Sequence, residues 1–197
     1  TSEAIALRAL KLIKVDYEVL PHVIDVVEAM KPDAPVLHDD QFTKGVEPAP
    51  DKPSNIALRM ESKLGDVEEG FNQADLIIER EFNTKPSHQG YIEPQASVAT
   101  YTDGGQAEIW TSTQGHFVMR AQVAKLLQMD VSKVKVTAPE LGGGFGGKNN
   151  VYLEPLAVVL SRKSSRPVKM VMTRGEVFRA TGPTSGTNVE IKIGATK

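Results

Sequence analysis

No cysteine occurs in the 197 residues. This excludes disulfides, a thiolate nucleophile, cysteine-ligated zinc and any iron–sulfur cluster held by the chain's own thiolates. It agrees with a reducing compartment, and the expected location is cytoplasmic. An excess of one charge is missing too. Twenty-three Lys and Arg against 25 Asp and Glu leave a formal charge of −2, which gives no electrostatic case for nucleic acid or a membrane surface as partner. No apolar run approaches the ~20 residues of a membrane span, and no signal peptide is visible. His88 and Glu93 are not set in H-x-H or H-E-x-x-H spacing, so no metal ligand set is read. What remains is an ordinary globular composition, 40% hydrophobic and 24% charged. The length fits one large domain, or one domain with an appendage. The chain begins at Thr1 rather than Met, and a piece of something longer is expected.

Glycine, by contrast, is concentrated. Gly142 to Lys148 reads Gly-Gly-Gly-Phe-Gly-Gly-Lys. Glycine loses the most conformational entropy on folding, so five in seven positions weaken local order unless bare backbone is needed. The usual need is close approach to a ligand, with N–H groups pointing at it and positive φ permitted. Phe145 would present a rigid apolar face there, and Lys148 a charge. The spacing predicts a strand over 134–138 and a helix over 151–163, which would put the loop's donors at a helix N-terminus, where anions bind.

Residues 1–30 carry a helix over 4–13 with Ser2 as N-cap, an alternating strand over 15–19 and a short helix over 24–30. Residues 31–55 hold five of the twelve prolines (Pro32, Pro35, Pro48, Pro50 and Pro53) and read as a linker or an extended crossing segment. Strands follow over 56–62 and 75–82, separated by a helix over 66–74. Strands over 97–101 and 107–110 flank Asp103-Gly104-Gly105, a hairpin signal. A helix over 115–128 has Phe117, Ala121, Ala124 and Leu127 on one face. In the helix after the glycine loop, Leu153, Leu156, Ala157 and Leu160 keep helical spacing, and Pro155 suits only the first turn. The basic run Arg162, Lys163, Arg166 and Lys169 reads as a solvated helix C-terminus, where cations suit the dipole. Strands over 168–172 and 189–193 close the chain. Thr173 and Arg174 are expected to cap a strand, with Glu176 or a cofactor edge as partner for the guanidinium. The fold class is α+β, with mixed sheets, hairpins and packed helices rather than a pure βαβ series.

Two nucleotide patterns fall on the glycines. Gly142, Gly144 and Gly147 satisfy G-x-G-x-x-G, but the acid needed about 20 positions on is replaced by Pro167 and Val168. Gly142, Gly147 and Lys148 satisfy most of G-x-x-x-x-G-K-[ST], but Asn149 stands where the magnesium-binding hydroxyl belongs. A nucleotide phosphate-binding module and a non-catalytic scaffold are the alternatives kept.

The loop does not stand alone. Ser87-His-Gln-Gly-Tyr-Ile-Glu-Pro-Gln95 is followed by Trp110-Thr-Ser-Thr-Gln114, the glycine loop, Tyr152-Leu-Glu-Pro-Leu156, Arg166-Pro-Val-Lys169 and Thr173-Arg174. This order and spacing resemble the molybdenum-binding large subunit of the xanthine dehydrogenase, aldehyde oxidase and carbon monoxide dehydrogenase family. The resemblance implies that residues 1–40 end a small α/β hammerhead domain, that 41–59 link, and that 60–197 begin a molybdenum-cofactor-binding domain. It implies a role for Gln114 at the catalytic metal, its amide beside an oxygen there. It places Gly144, Phe145 and Gly146 against the cofactor. His88, Gln89 and Glu93 match a segment near the centre of that fold, and a structural hydrogen-bonding role is expected for all three. His22, His38 and His116 carry no pattern.

Two departures bear on substrate. Purine-oxidising members carry a glutamate where this chain has Asn149, and an arginine in the loop that matches Pro183 to Ser185, aligned here with Thr184. Asn149 and Thr184 are therefore the substrate-binding candidates, and no charged pair for a purine is present. The implied reaction is oxidative hydroxylation of an aldehyde or an electron-poor (hetero)aromatic substrate, with water as oxygen source. The implied cofactor is a molybdenum–pterin group. Iron–sulfur clusters and FAD are expected only on other domains or subunits. The implied partners are the remainder of the large subunit, the iron–sulfur and flavin components, and a small-molecule substrate. The glutamate base of the family has no counterpart in this chain, so one wall of a site is expected.

Overall fold

Alternation in two short neighbouring segments organises the chain's larger unit. Ser97 and Ala99 in one, and Ala107, Ile109 and Thr111 in the other, are buried, and the residues between them are more open. This is the period of a sheet with one covered face. The computed structural model describes residues 2–197. It divides into one unit ending at Arg80 and including Ile191–Lys197, and a second unit, Glu81–Glu190. In chain order the elements are α1 (Glu3–Leu10), α2 (Val26–Ala29), α3 (Val67–Asn72), β1 (Leu76–Thr84), β2 (Ala96–Tyr101), β3 (Ala107–Thr111), α4 (His116–Leu126), β4 (Val134–Thr137), α5 (Glu154–Ser164), β5 (Val168–Val171), α6 (Arg174–Ala180) and β6 (Thr187–Ala195).

In the second unit four strands form a mixed sheet in the order β4-β3-β2-β5. The predicted hairpin is present: β2 and β3 are antiparallel, with Tyr101 opposite Ala107. β5 joins β2 antiparallel, and β4 joins β3 in parallel. The parallel pair requires a crossover, and α4 supplies it. Met119, Val123 and Ala124 of α4, and Ala157 and Val158 of α5, close on Ala99, Ala107, Ile109 and Val134 as one core. A second cluster joins Tyr91, Leu153, Met172 and Val177. β1 and β6 pair as a two-stranded ribbon.

The first unit has little core. No residue from 2 to 90 is buried. Its order comes from polar ties. Ser2 caps α1, and Asp25 caps α2 with both Val27 N and Glu28 N at 2.9 Å. Asn55 donates to the carbonyls of Ala29 and Pro35 and accepts from Leu37 N, stitching the proline-rich segment. Gly45 has φ +76°, and a Cβ there would stand 2.0 Å from Arg59 O, so no other residue fits.

Several expectations need correction. Residues 15–19 form no strand, and 56–62 give only an isolated bridge between Lys44 and Leu58. The buried face of α4 is Met119, Val123 and Ala124, whereas Phe117 is 70% exposed. Leu156 and Leu160 are exposed on α5. Thr173 caps a helix, α6, not a strand. Arg174 reaches the carbonyls of Tyr91 and Ile92 instead of Glu176.

The cap of α6 is reciprocal. Thr173 Oγ1 accepts from Glu176 N at 3.3 Å, and Glu176 Oε2 accepts from Thr173 N at 2.6 Å. The Thr173 N–H, and then its hydroxyl, hold the Glu176 carboxyl below its ordinary value of 4.5. A depressed carboxyl contributes stability above its unfolded pKa, and that contribution disappears as pH falls through the folded value. The melting temperature of Glu176→Gln should therefore lie below that of the parent at neutral pH, with the gap closing on acidification below pH 4.5. A gap that stays constant with pH would refute this account. In the core, Ile109 is fully buried. Ile109→Ala should cost about 2–5 kcal/mol in denaturant unfolding; a loss under about 1 kcal/mol would mean that the sheet's covered face is not the main core.

Candidate functional site

The glycine loop is packed from one side by three side chains from outside it. A Cβ on Gly142 would stand 2.7 Å from Glu93 Cβ, one on Gly144 2.5 Å from Gln114 Oε1, and one on Gly147 2.8 Å from Tyr91 Cε1. These glycines are needed for close approach by protein side chains. Gly143 and Gly146 are needed for conformation, with φ of +92° and +87°. At Gly146 a Cβ would meet nothing within 4 Å, so the backbone there faces open space. Phe145 also has positive φ, +50°, and its side chain is 72% exposed beside Gly143.

Gln114 sits between β3 and α4. Its backbone N and the Thr113 hydroxyl both donate to Lys148 O, each at 3.1 Å. In return its Oε1 accepts from Gly146 N at 3.0 Å and Lys148 N at 3.3 Å. Two N–H donors facing one amide oxygen fix which way the amide points. Its NH2 group has no hydrogen-bond partner among the described residues. The N-cap of α4 is Gly115, whose N donates to Thr113 Oγ1 at 3.2 Å, and Gln114 lies exposed just before it.

Lys148 is buried. Its Nζ lies 2.6 Å from Glu93 Oε2 and 4.9 Å from the centre of the Tyr91 ring. It cannot serve as a phosphate-binding lysine in this position. The loop does not run straight into a helix either. α5 begins at Glu154, after residues 149–153, and the buried Glu154 carboxylate takes Tyr152 N and the Thr111 hydroxyl. An acid already fills the place where an anion would bind. Both findings count against the nucleotide patterns.

Around this site His88 and Glu93 make the structural hydrogen bonds expected of them, and Gln89 does not. Gly90 N donates to His88 Nδ1 at 3.0 Å, so His88 Nε2 carries the proton and donates to Thr181 Oγ1 at 2.8 Å. Tyr91 O–H joins the same hydroxyl at 3.2 Å and accepts from Gln95 Nε2. Gln89 lies against Gly147, with its Oε1 buried and unpartnered. Tyr91 and Gln95 stand within the motifs without a role read for them, and Lys148 is read only as a charge at the loop. The signal for Tyr91 and Gln95 is the run of polar and aromatic residues before β2, too dense for an exposed turn.

Of the candidate residues, Gln114, Gly144, Phe145 and Gly146 lie together. Asn149 joins them, its Nδ2 donating to Gly146 O at 3.4 Å. Thr184 is tied elsewhere: its N and Oγ1 both donate to Ser87 O, at 2.9 and 2.8 Å. Among the described residues no group of three His, Cys, Asp or Glu could hold a metal ion, and no helix is long and apolar enough to cross a membrane.

Residues 48–197 match the model of the molybdopterin cofactor-binding domain. The chain is 38% identical to the "Probable hypoxanthine oxidase XdhD" of Escherichia coli O157:H7, over all of this chain and 23% of that protein. It is 33% identical to the carbon monoxide dehydrogenase large chain of Afipia carboxidovorans, over 98% of this chain and 24% of the other. The crystal structure of quinoline 2-oxidoreductase from Pseudomonas putida 86 superposes with a TM-score of 0.81 at 26% identity, over 99% of this chain and 24% of that one. The chain thus spans about a quarter of the length of these relatives. By its match over 48–197 and its identity to these relatives, the chain belongs to the molybdopterin cofactor-binding domain family, in the xanthine dehydrogenase, aldehyde oxidase and carbon monoxide dehydrogenase group of molybdenum oxidoreductases.

Proposed function

We propose that this chain forms one wall of the active site in the large subunit of a molybdenum hydroxylase. The reaction is oxidative hydroxylation of an aldehyde or an electron-poor (hetero)aromatic substrate, with water as oxygen source. The observation that carries this reading is the Gln114 amide, its oxygen tied to two loop N–H groups and its NH2 without a partner among the described residues. The residues fit a molybdenum–pterin cofactor. Backbone at Gly146 is bare toward open space, the Phe145 ring is exposed, and an oriented amide donor lies beside them. When bound, that cofactor supplies the two-electron chemistry of the hydroxylation. The chain's part is positional. Gln114 donates to an oxygen at the metal, Gly144 lets Gln114 lie flat on the loop, Phe145 walls the site with an apolar face, and Gly146 permits close approach.

Asn149 and Thr184 are proposed to face substrate. Neither carries a charge, so the site would select by shape and neutral hydrogen bonds. The relatives bear names for different substrates, hypoxanthine, carbon monoxide and quinoline, so family membership leaves the substrate open. We assign residues 1–40 to the end of a hammerhead-like domain and 41–59 to a linker, with 60–197 as the first part of the cofactor domain. Exposed side chains such as Leu12, Tyr17, Val19 and Ile24 support a surface that packs against the remainder of the large subunit. Iron–sulfur and flavin components lie on other domains or subunits, in the cytoplasm.

Three expected outcomes test this. In the full-length parent, Gln114→Ala should lower turnover at least about tenfold and shift stability by only about 0.5 kcal/mol, with metal content near normal. Unchanged turnover would reduce Gln114 to a loop tie. Gly144→Ala, at a site without positive φ, should act through Gln114 alone, because the new methyl must displace its amide. It should therefore lower turnover with Gln114 still present, and normal activity would contradict the assigned orientation. The 197-residue chain alone, supplied with cofactor, should show no turnover of purines or aldehydes with a dye acceptor. Glu93, the carboxylate on the loop, is already committed to Lys148 and Gly142. Turnover above background would show that the wall is a complete site.

A further inference from the structure

Lys148 remains unexplained by the cofactor reading. Its side chain is fully buried, although lysine is among the residues least often found so. A buried ammonium needs a partner, and Glu93 Oε2 provides it at 2.6 Å. The same oxygen accepts from Gly142 N at 3.0 Å, and Glu93 N donates to Gly142 O at 3.3 Å. One carboxylate oxygen thus joins the first and last residues of the Gly142–Lys148 loop. The Tyr91 ring lies 4.9 Å from Nζ and is itself held by Thr181 and Gln95. Gly146 N, between the two anchored ends, and Lys148 N, at one of them, are the donors that orient the Gln114 amide.

We infer that Glu93 and Lys148 are positioning residues, an ionic latch that closes the ends of the glycine loop and so sets the orientation of the Gln114 amide. The inference rests on the role proposed for that amide. A loop with five glycines has no side-chain packing of its own to limit its conformations. No side chain packs where a Cβ on Gly146 would stand, and its backbone is held only by neutral hydrogen bonds, N to Gln114 Oε1 and O from Asn149 Nδ2. Gln114 and Tyr91 pack on Gly144 and Gly147, and the charged contact of the loop is the one at its ends. An ion pair serves better than an apolar contact because one oxygen can bind the lysine and a backbone N–H at once.

A pair that merely stabilises the fold can often be replaced by neutral groups with little loss, whereas removing one partner leaves an unpaired charge. The test uses the full-length holoenzyme with Lys148→Met, Glu93→Gln and the double variant, comparing melting temperature, hydrogen exchange of the loop peptide, and molybdenum and pterin per protein. The single variants should melt lower than the parent. The double variant should recover most of the melting temperature, yet its loop amides should exchange about tenfold faster or more while β2 and β3 keep parental protection. Cofactor content or turnover should fall about threefold or more with the loosened loop. Parental loop exchange in the double variant would overturn the latch. So would a loosened loop with parental cofactor content and turnover. If Lys148→Met or the double variant fails to fold, Glu93→Gln decides alone, because it keeps an oxygen for Gly142 N–H and loses only the charge; faster loop exchange supports the latch and parental exchange refutes it. Gln114→Ala run alongside separates the two readings. If it is harmless, the amide's role fails, whatever the loop does. If it is harmful while the latch variants behave as parent, the latch alone fails.

Discussion

The site depends on space left by absent Cβ atoms. Glu93, Gln114 and Tyr91 each stand where a side chain on Gly142, Gly144 or Gly147 would have to be. The three come from two segments, the stretch before β2 and the end of β3, which the β2–β3 pairing brings side by side. The glycines are thus the complement of a filled inner face, not a sign of slack. Once that face is filled, the charge of Lys148 is buried and must be neutralised, and the amide of Gln114 must receive the loop's N–H groups. Each polar contact of the site follows from that packing.

The sheet and its hairpin could be read from the sequence because alternation in β2 and β3 is local and their turn carries Asp103-Gly104-Gly105. The 15–19 and 56–62 segments alternate as well but form no ladder among the described residues. Alternation reports a face that could be buried, and a strand needs a neighbour to bury it. The face of α4 was misread for a related reason. Apolar residues lie on two sides of that helix, and contact with the sheet, not spacing, selects Met119 and Val123 over Phe117. α6 was missed although Thr173-Arg-Gly-Glu176 before Val177 is a capping-box pattern.

For the site, motif order brought out Gln114 and the loop, and the structure joins them. The pairing of Lys148 with Glu93 was not legible. In sequence they stand 55 residues apart, and an exposed lysine after two glycines is the ordinary expectation. Only the tertiary approach of the stretch before β2 to the end of the loop makes them a pair. The same holds for His88, whose tautomer is set by Gly90 N and whose proton goes to a hydroxyl on α6's C-cap, Thr181.

The direction of the amide has a chemical consequence. A glutamine free to rotate presents either its oxygen or its NH2 group to a neighbour at similar cost. Here two backbone donors hold the oxygen, so only a donor is offered outward. A donor fixed before the reaction needs no reorientation as negative charge develops on a nearby oxygen, and such preorganisation is usually the largest electrostatic contribution a site makes. A backbone loop anchored at its ends can hold an amide in this way while leaving its other face bare. A side chain in Gly144's place could not, because it would occupy the volume of the amide it is meant to orient.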